Sequence, residues 1–362
     1  MERIYTLALT FLRGLSAAQA LKCYRHYGSA TAIFEDEAPE EPKLQQVRSA
    51  MPEAIARAEH EVEMCEKNGI QLLCMSDEAY PSRLRECVDA PLALFYRGTA
   101  DLNARHVVSI VGTRNITAQG IDICQHLCQD LARMVPDLLV VSGLAYGVDI
   151  NAHRQSLAAG VPTVGVLAHG LDTLYPSSHR QTAAQMVSNG GLLTEYVFGT
   201  SADKGNFVQR NRIVAGMADA TIVVESAKKG GALITAEIAQ DYNRDVFAYP
   251  GRVTDIYSEG CNNLIRDNRA ALITSAEDMV LAMQWATKEG LNGEAVQQEL
   301  FPTLTPEEQG IIDIMKNTES ISISQISRLS GLSFSKLNAL LLSLEMKGLL
   351  RALPGSIYRL IR

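Results

Sequence analysis

The sequence predicts an α/β protein with an extended parallel sheet as its core, a small helical domain before the sheet, and a domain of three helices and a hairpin after it. From about residue 105, short β-rich apolar runs alternate with segments of helical periodicity, which is typical of a parallel sheet wrapped by helices. Residues 4–34 have helical spacing, and hydrophobicity falls at 287–302. We therefore expect a helical domain at 1–69, a sheet domain at 70–286, a linker at 287–303 and a final domain at 304–362.

The N-terminal segment is predicted to form short helices. Gly14 and Gly28 interrupt the apolar positions of residues 4–34, so more than one helix is expected there. The acidic, proline-bearing stretch 35–43 is typical of a loop, and a further helix is expected at about 52–68.

Six strands are expected in the sheet, and each ends in glycine, serine or a polar residue: 106–112, 138–143, 163–168, 191–196, 220–226 and 245–251. Crossover helices are expected between them at 117–134, 147–160, 178–189, 208–217 and 231–242. Ligands of such sheets bind beyond the carboxyl ends of the strands, so we expect function in the residues that follow each strand.

The C-terminal segment predicts three helices and then a β-hairpin, which is the order of a winged helix. Thr305 is expected to cap the first of these helices, with Pro306 at its first position and Glu308 at its third. Two β-like runs flank Pro354 and Gly355. The third helix carries few basic residues, so DNA contact and partner binding both stay open for this unit.

Composition and charge narrow the classes of function. The 362 residues are 47% hydrophobic with a formal net charge of −8, which argues against a protein that coats DNA over its whole surface. Any nucleic-acid site must therefore be local. No apolar segment approaches a membrane span and no secretion signal is visible, so we expect a cytoplasmic protein. The seven cysteines lack metal-binding spacing and are expected to be free thiols, and neither a metal nor a cofactor is predicted.

The first predicted strand of the parallel sheet leads into a loop that suits an anion. Gly112 permits a tight turn, Thr117 can cap the following helix, and Arg114 lies where a helix N-terminus already favours phosphate. The spacing is neither the dinucleotide fingerprint nor the P-loop. After the second strand, Ser142 and Gly143 again place small residues and free amides at a strand end.

Asp149 and His153 follow on the next predicted helix, four residues apart. Such a pair can serve acid–base catalysis. Because no nucleophile or metal-ligand set accompanies the pair, a structural hydrogen bond or helix pairing is the favoured interpretation.

The segment 204–218 is the most informative about the substrate. Lys204, Arg210 and Arg212 occur within nine residues with no acidic residue between them, and Phe207 lies among them. Cations that neutralise phosphates, interleaved with an aromatic ring on which a base can stack, suit single-stranded nucleic acid. The alternative is a core phenylalanine flanked by solvated arginines.

A second anion-binding loop follows the strand at 220–226. Gly230 and Gly231 begin a helix there, and Lys228 and Lys229 directly precede them. Loops of this kind also bind nucleotides in enzymes, so the motif does not choose between the two classes of ligand.

Seven blocks, in this order and spacing, resemble the DNA-processing protein A family, also called DprA or Smf: VGTRNITAQG, SGLAYGVDINAH, GVLAHGLDTLYPSSH, LLTEYVFGT, FVQRNRIVAGMADATIVVESAKKGGALITAE, VFAYPGR and GCNNLIRD. The resemblance implies an extended Rossmann-like core that binds single-stranded DNA and forms a homodimer. It implies further that the protein protects incoming DNA and loads the RecA recombinase during natural transformation, without being an enzyme.

The resemblance also implies an anion pocket lined by Arg114, Arg210, Asn211 and Arg212. Gln119 departs from the tyrosine that is common at its position, and Val208 departs from a frequent proline. The DNA-binding residues predicted from motifs and resemblance together are Gly112, Arg114, Thr117, Ser142, Gly143, Lys204, Phe207, Arg210, Asn211, Arg212, Lys228, Lys229, Gly230 and Gly231.

Two alternatives stay open at this point. KKGGALITAE partly matches a motif of the phosphoribohydrolases that cleave nucleoside monophosphates, and Glu237 would then act on a ribose. The C-terminal unit could instead make the protein a regulator that binds duplex DNA, although the charge of residues 305–362 is nearly balanced.

Overall fold

The computed structural model describes residues 1–39, 41–285, 304–316, 321–347, 349–353 and 356–360. The chain divides into two units, with the boundary between residues 289 and 290. The linker predicted at 287–303 and the turn at Pro354 and Gly355 lie outside the described residues. The predicted division of the first unit at residue 69 stays a prediction.

A nine-stranded sheet forms the centre of the first unit. Its strands are β1 Gln71–Cys74, β2 Ala93–Gly98, β3 His106–Val111, β4 Leu138–Ser142, β5 Thr163–Val166, β6 Gly190–Thr194, β7 Ala220–Val223, β8 Asp245–Ala248 and β9 Ala271–Leu272. Their order across the sheet is β1-β2-β6-β5-β4-β3-β7-β8-β9. The strands β3 to β9 pair in parallel, whereas β2 is antiparallel to both β1 and β6.

The six predicted strands are confirmed, and each is shorter than predicted because its last residues turn into a loop. The sheet itself is larger than predicted. It gains β9 at one edge and the antiparallel pair of β1 and β2 at the other. These added strands are two to six residues long, and apolar runs of that length cannot be assigned by periodicity alone.

Thirteen α-helices are described in the first unit: α1 Glu2–Phe11, α2 Ala17–Tyr27, α3 Ala30–Glu35, α4 Pro42–Val47, α5 Met51–Lys67, α6 Ser82–Arg85, α7 Ala118–Met134, α8 Val148–Ala158, α9 Arg180–Ser188, α10 Lys204–Gly216, α11 Gly231–Asp241, α12 Glu259–Arg266 and α13 Ala276–Ala282. The crossover helices are confirmed. The helix expected at 208 begins four residues earlier, because the Asp203 side chain caps it by accepting a hydrogen bond from the Asn206 backbone N–H at 3.0 Å. No helix in the described ranges is long and apolar enough to cross a membrane.

Helices cover both faces of the sheet. On one face, Val108 and Ile110 of β3 share a core with Cys124 of α7, and α8 and α13 complete that layer. On the other face, Val107 of β3 packs in a core with Ile213 of α10, together with α11 and α12. The cysteines are all free and buried, which agrees with the expected free thiols.

The N-terminal helices share the second of these cores. Leu7, Leu21 and Ile33 belong to the same cluster of buried side chains as Leu94 of β2 and Val164 of β5. The turns between these helices follow local rules: the Ser16 side chain accepts a hydrogen bond from the third helical residue of α2, and Gly28 ends α2 in the left-handed conformation. The helical N-terminus predicted from the sequence is therefore packed onto the sheet.

The second unit has the predicted winged-helix order. It contains α14 Pro306–Met315, β10 Ile321–Ser322, α15 Ile323–Ser330, α16 Phe334–Met346, β11 Leu350–Leu353 and β12 Ile357–Leu360. The hairpin of β11 and β12 is extended by β10. The predicted capping of α14 by Thr305 and Glu308 is confirmed, and the buried Glu308 carboxylate also accepts hydrogen bonds from Lys347 and Ser343.

Candidate nucleic-acid interface

A cavity of about 740 Å³, here called the basin, opens where β3, β4 and β7 end beside the N-termini of α10 and α11. This is the edge at which ligands of parallel α/β sheets bind. Its lining residues come from the segments 111–115, 143–149, 202–214 and 227–235, together with Tyr175 and Tyr257.

Two guanidinium groups lie near the ring of Phe207 in the basin. The guanidinium carbon of Arg114 is 5.3 Å from the centre of the Phe207 ring, and that of Arg210 is 5.9 Å away. A cation within about 6 Å of an aromatic ring centre is attracted by the ring's π-electrons. Arg114 is exposed whereas Arg210 is only 4% exposed, so the ring contacts one cation that solvent reaches and one that it does not.

Arg210 is fixed by the strand ends around it. Its Nη1 donates hydrogen bonds to the carbonyl oxygens of Gly143, at 2.6 Å, and of Val166. Burial lowers the pKa of Arg210, and the nearby Asp149 carboxylate opposes that shift. A Cβ atom at position 143 would lie 2.5 Å from the Arg210 guanidinium, so this close approach requires glycine. The Arg210 guanidinium is therefore held in place and adds a fixed positive charge to the basin.

Asp149 and His153 each have another partner. Asp149 accepts a hydrogen bond from the backbone N–H of Ala145 at 3.4 Å, and His153 Nδ1 lies 2.7 Å from Thr163 Oγ1. Burial raises the pKa of Asp149 and lowers the pKa of His153 to about 3, so the imidazole is neutral near pH 7. These contacts agree with the structural interpretation. In the described part of the chain, no group of three His, Cys, Asp or Glu side chains is placed to hold a metal ion.

The N-terminus of α11 has no side-chain cap and lies at the basin. Gly230 is the capping residue and Gly231 is the first helical residue, so the backbone N–H groups of Gly231 and Ala232 have no acceptor within the helix, whereas that of Leu233 donates to the Gly230 carbonyl. A Cβ at Gly231 would meet no atom within 4 Å, which shows that space is open in front of it. The exposed Lys229 adds a positive charge beside these amides, and a helix N-terminus of this kind favours an anion.

Positive charge exceeds negative charge among the basin's described residues. The carboxylates are those of Asp149 and Asp203, and Asp203 is the capping residue of α10. The cations are Arg114, Lys204, Arg210 and Lys229. The chain as a whole carries a net charge of −8, so the excess of cations is local, as the sequence requires of any nucleic-acid site.

Thr117 and Ser142 do not line the basin. The Ser142 side chain is fully buried, and its hydroxyl donates a hydrogen bond to the Ile110 carbonyl at 2.6 Å. Thr117 caps α7 as predicted: its Oγ1 accepts a hydrogen bond from the Gly120 N–H and donates one to the Glu225 carboxylate. Both hydroxyls are therefore engaged within the protein.

Arg212 and Lys228 also lie outside the basin lining. Nη2 of Arg212 is 2.5 Å from Oε2 of Glu195, and its Nη1 donates to the Asp89 carbonyl at 2.6 Å. Nζ of Lys228 lies 3.3 Å from the carboxylate of Glu259. The charge of each is thus shared with a carboxylate of the chain.

The structure brings together Gly112, Arg114, Gly143, Lys204, Phe207, Arg210, Asn211, Lys229, Gly230 and Gly231 of the predicted residues. It adds Tyr175, which the sequence reasoning missed. Tyr175 is 49% exposed, and its ring meets Phe207 edge to face with 5.7 Å between ring centres. The signal was its place in the loop after β5, since residues that follow strands of such a sheet gather at one edge.

Comparison with known proteins places the chain in a family. The sequence profile described as DNA recombination-mediator protein A matches residues 71–284. The chain belongs to the DNA recombination-mediator protein A family. A second profile, described as the DprA winged helix domain, matches residues 297–356. The resemblance seen in the seven sequence blocks is therefore confirmed.

Relatives within this recombination-mediator family span much of the chain. The DNA processing protein DprA of Streptococcus pneumoniae is 38% identical over 209 residues, which cover 58% of this chain and 73% of the relative. Protein Smf of Synechocystis is 33% identical over 320 residues, which cover 80% of each chain.

Solved structures of DprA proteins confirm the fold class. The X-ray structure of DprA from Streptococcus pneumoniae, at 32% identity, covers 77% of this chain and 97% of that one with a TM-score of 0.66. A structure of DprA from Helicobacter pylori, described by its unique single-stranded DNA binding mode, is 28% identical and covers 59% of this chain and 95% of that one, with a TM-score of 0.54.

Proposed function

We propose that this protein binds single-stranded DNA in the basin. Backbone phosphates lie against Arg114, Lys204, Lys229 and the amides of α11, and unpaired bases stack on Phe207 and Tyr175. Binding is largely independent of sequence, because every base has a face that can stack. It weakens with salt, because phosphate contacts release counterions.

The Arg114–Phe207 pair is the observation that carries this proposal. It sets an exposed guanidinium against an aromatic ring. Three further cations, Lys204, Arg210 and Lys229, line the same cavity. A single strand presents phosphates and unpaired base faces side by side, whereas a duplex hides its base faces in the stack. Similarity to the Helicobacter pylori protein, whose description concerns single-stranded DNA, supports this assignment.

The proposal extends to the role of the complex. We propose that the protein protects a bound strand, acts as a homodimer, and loads the RecA recombinase during natural transformation or homologous recombination. Membership of a family described as recombination mediators supports this role. A site that binds any sequence through salt-sensitive phosphate contacts and base stacking suits a mediator, because the strand must be bound and then transferred to the recombinase.

The basin favours binding over catalysis. Glu237, the candidate acid of a phosphoribohydrolase, does not line the basin, and its carboxylate lies 3.4 Å from the Arg269 guanidinium. His153 is buried and its pKa is lowered to about 3, so its imidazole binds a proton too weakly to serve as a general base near pH 7. We therefore propose that the protein is not an enzyme. Release of adenine from AMP by the purified protein would contradict this.

The binding proposal is tested with one matched pair of variants. Arg114→Ala should weaken binding to oligothymidine at least tenfold and leave the melting temperature unchanged, because Arg114 is exposed. It should also reduce the slope of log K against log salt by about 1, the value for one lost phosphate contact. Arg133→Ala removes an exposed arginine from α7, outside the basin, and should change affinity less than twofold. Equal weakening by both variants would contradict the proposed site.

The mediator role needs a separate measurement. The wild-type protein should shorten the lag before RecA begins to hydrolyse ATP on single-stranded DNA that is covered by a single-strand-binding protein, and Arg114→Ala should not. If the wild type binds DNA tightly but leaves the lag unchanged, the proposal of RecA loading is wrong and the binding proposal stands.

A further inference from the structure

An exposed tyrosine lies at the rim of the basin, in the loop that joins β4 to α8. Tyr146 does not line the basin, but the residue before it, Ala145, does. Two residues after it, the backbone N–H of Val148 donates a hydrogen bond at 3.1 Å to the carbonyl of Thr113, in the loop that carries Arg114. Tyr146 is 47% exposed, and none of the contacts assigned to the basin uses its ring.

The Tyr146 ring has a fixed support. It meets the ring of His179 edge to face, with 5.0 Å between ring centres. His179 is buried, and its Nδ1 lies 3.0 Å from the carbonyl oxygen of Leu144. The segment 175–179 therefore carries one exposed tyrosine, Tyr175 of the basin, and supports the other. A ring that is already held in place loses little freedom when a base stacks on it.

Positive charge lies beside this pair of rings. Arg154 of α8 is exposed, and its Nε donates a hydrogen bond at 3.4 Å to Oγ1 of Thr182 in α9. Burial lowers the pKa of His179, and the charge of the nearby Arg154 lowers it further. Arg180 directly follows His179 and is also exposed. One surface thus carries two rings and two cations, and it is here called the shoulder: Tyr146, Arg154, His179 and Arg180.

Carboxylates are scarce around the shoulder. Asp172 is the only acidic residue in the sequence from 150 to 194, although the whole chain carries a net charge of −8. Its Oδ1 accepts a hydrogen bond from the backbone N–H of Gly199 at 3.1 Å, and its charge acts on Glu61 of α5. The one carboxylate of this stretch is therefore engaged with other segments, and the shoulder suits an anionic partner.

We propose that the shoulder continues the path of the single strand beyond the basin. One base stacks on the exposed ring of Tyr146, and a neighbouring phosphate contacts Arg154. An aromatic ring beside a cation repeats the arrangement that the basin presents in Phe207 and Arg114, and it suits single-stranded nucleic acid for the same reason. This inference rests on the proposed function, because the basin supplies the strand.

The experiment measures the affinity of the full chain for oligothymidines of about 4 and about 16 nucleotides, which span the usual size of a single-strand site. Fluorescence anisotropy reports both. Tyr146→Ala and Arg154→Ala should each bind the long oligomer at least fivefold more weakly than wild type, and the short one within twofold of wild type. Arg114→Ala removes a cation of the basin and should weaken binding at both lengths.

Matched variants separate stacking from charge. Tyr146→Phe keeps the ring and should bind both lengths as wild type does, and Arg133→Ala serves again as the exposed control on α7. A third oligomer has the long length but carries abasic positions on both sides of a short central thymidine run. Arg154→Ala should weaken its binding, because the phosphates remain, and Tyr146→Ala should not. Thermal denaturation verifies that each variant is folded.

Two results would overturn the inference and leave the basin intact. One is unchanged affinity for the long oligomer in folded Tyr146→Ala and Arg154→Ala proteins. The other is a wild type that gains no affinity between the short and the long oligomer. If the wild type bound neither length, the proposed function would fail, and the inference with it.

Discussion

Glu225 accepts two hydrogen bonds from Thr117, one from its backbone N–H at 2.9 Å and one from its Oγ1 at 2.5 Å. The Glu225 carbonyl also accepts the backbone N–H of Thr113 at 2.7 Å. These contacts hold both ends of the loop that carries Arg114. The carboxylate lies at the N-terminus of α7, the position that phosphate takes in dinucleotide-binding folds, so under the proposed function we expect a ligand's phosphates at α11 instead.

Glu225→Ala should therefore weaken oligothymidine binding although Glu225 does not line the basin. Loss of hydrogen bonds to a charged acceptor should lower the free energy of unfolding by about 2 kcal/mol. Glu237→Ala removes a carboxylate that is 60% exposed and should cost less than about 1 kcal/mol, with no change in affinity. Urea denaturation and fluorescence anisotropy measure the two effects. Normal DNA affinity in a folded Glu225→Ala protein would contradict the positioning role.

Arg114 and Arg212 should respond to substitution in opposite ways. Arg114→Ala is expected to lower DNA affinity with little change in stability. Arg212→Ala leaves Glu195 as a buried carboxylate without its partner, and so it should lower the free energy of unfolding by about 3–5 kcal/mol. Thermal denaturation beside oligothymidine binding separates the two. A stable Arg212→Ala protein that binds DNA weakly would place this arginine among the direct contacts after all.

Phe207 and Tyr175 should contribute through their rings. Phe207→Ala and Tyr175→Ala are each expected to weaken binding by about 1–3 kcal/mol, which is typical of one lost base stack. Tyr175→Phe keeps the ring and should bind as wild type does. Filter binding with oligothymidine and with an abasic oligomer of the same length tests the cause. If the alanine substitutions weakened binding to the abasic oligomer as much as binding to oligothymidine, loss of stacking would not be the cause.

Two glycines of the basin predict different outcomes for the same substitution. Gly143→Ala forces a methyl group against the Arg210 guanidinium, so it should cost about 1–3 kcal/mol of stability. Gly231→Ala meets open space and should fold normally, but its methyl group enters the region proposed for phosphate and should reduce DNA affinity. Calorimetric melting and anisotropy titrations distinguish the two. Equal losses of stability in Gly143→Ala and Gly231→Ala would contradict the claim that only Gly143 is packed against a fixed group.

His153 predicts part of the pH dependence of stability. Its pKa is lowered by burial to about 3, against an ordinary value of about 6.5. Between these values the unfolded chain binds a proton that the folded chain refuses, so stability falls as pH drops below about 6.5. One such group contributes about 1.4 kcal/mol per pH unit. Asp149, whose pKa burial raises, acts in the opposite direction, and a matched variant is therefore needed.

His153→Gln should show a shallower loss of unfolding free energy between pH 6.5 and 4 than wild type. The measurement is urea denaturation at half-unit steps of pH. If the free energy of unfolding fell equally with pH in the two proteins, a group other than His153 would control the loss of stability in acid.

Much of the basin could be predicted because the ends of parallel strands are recognisable in the sequence as glycines that follow β-rich apolar runs. Gly112, Gly143 and Gly230 follow β-rich runs, and parallel strands bring the segments after them to one edge. The antiparallel pair of β1 and β2 could not be predicted in the same way. Each is a short apolar run without a crossover helix beside it, and pairing between distant segments leaves no local periodicity.

Helical geometry alone predicts that Arg212 and Arg210 point in different directions. Arg210 and Arg212 are two residues apart, and at 3.6 residues per turn their side chains point about 200° apart. The two side chains therefore leave α10 on opposite sides and meet different partners. The partner of Arg212, Glu195, lies 17 residues earlier after β6, and no spacing rule connects the two positions.

The shared packing of the first helices and the sheet limits how this protein can be dissected. A shortened chain that began at β1 would lose Leu7, Leu21 and Ile33, and it would expose apolar side chains of β1 and β2 that pack against α1. Such a fragment is expected to aggregate, so its failure to retain DNA would say nothing about the basin. Point substitutions in the intact polypeptide are the sound route to assigning roles here.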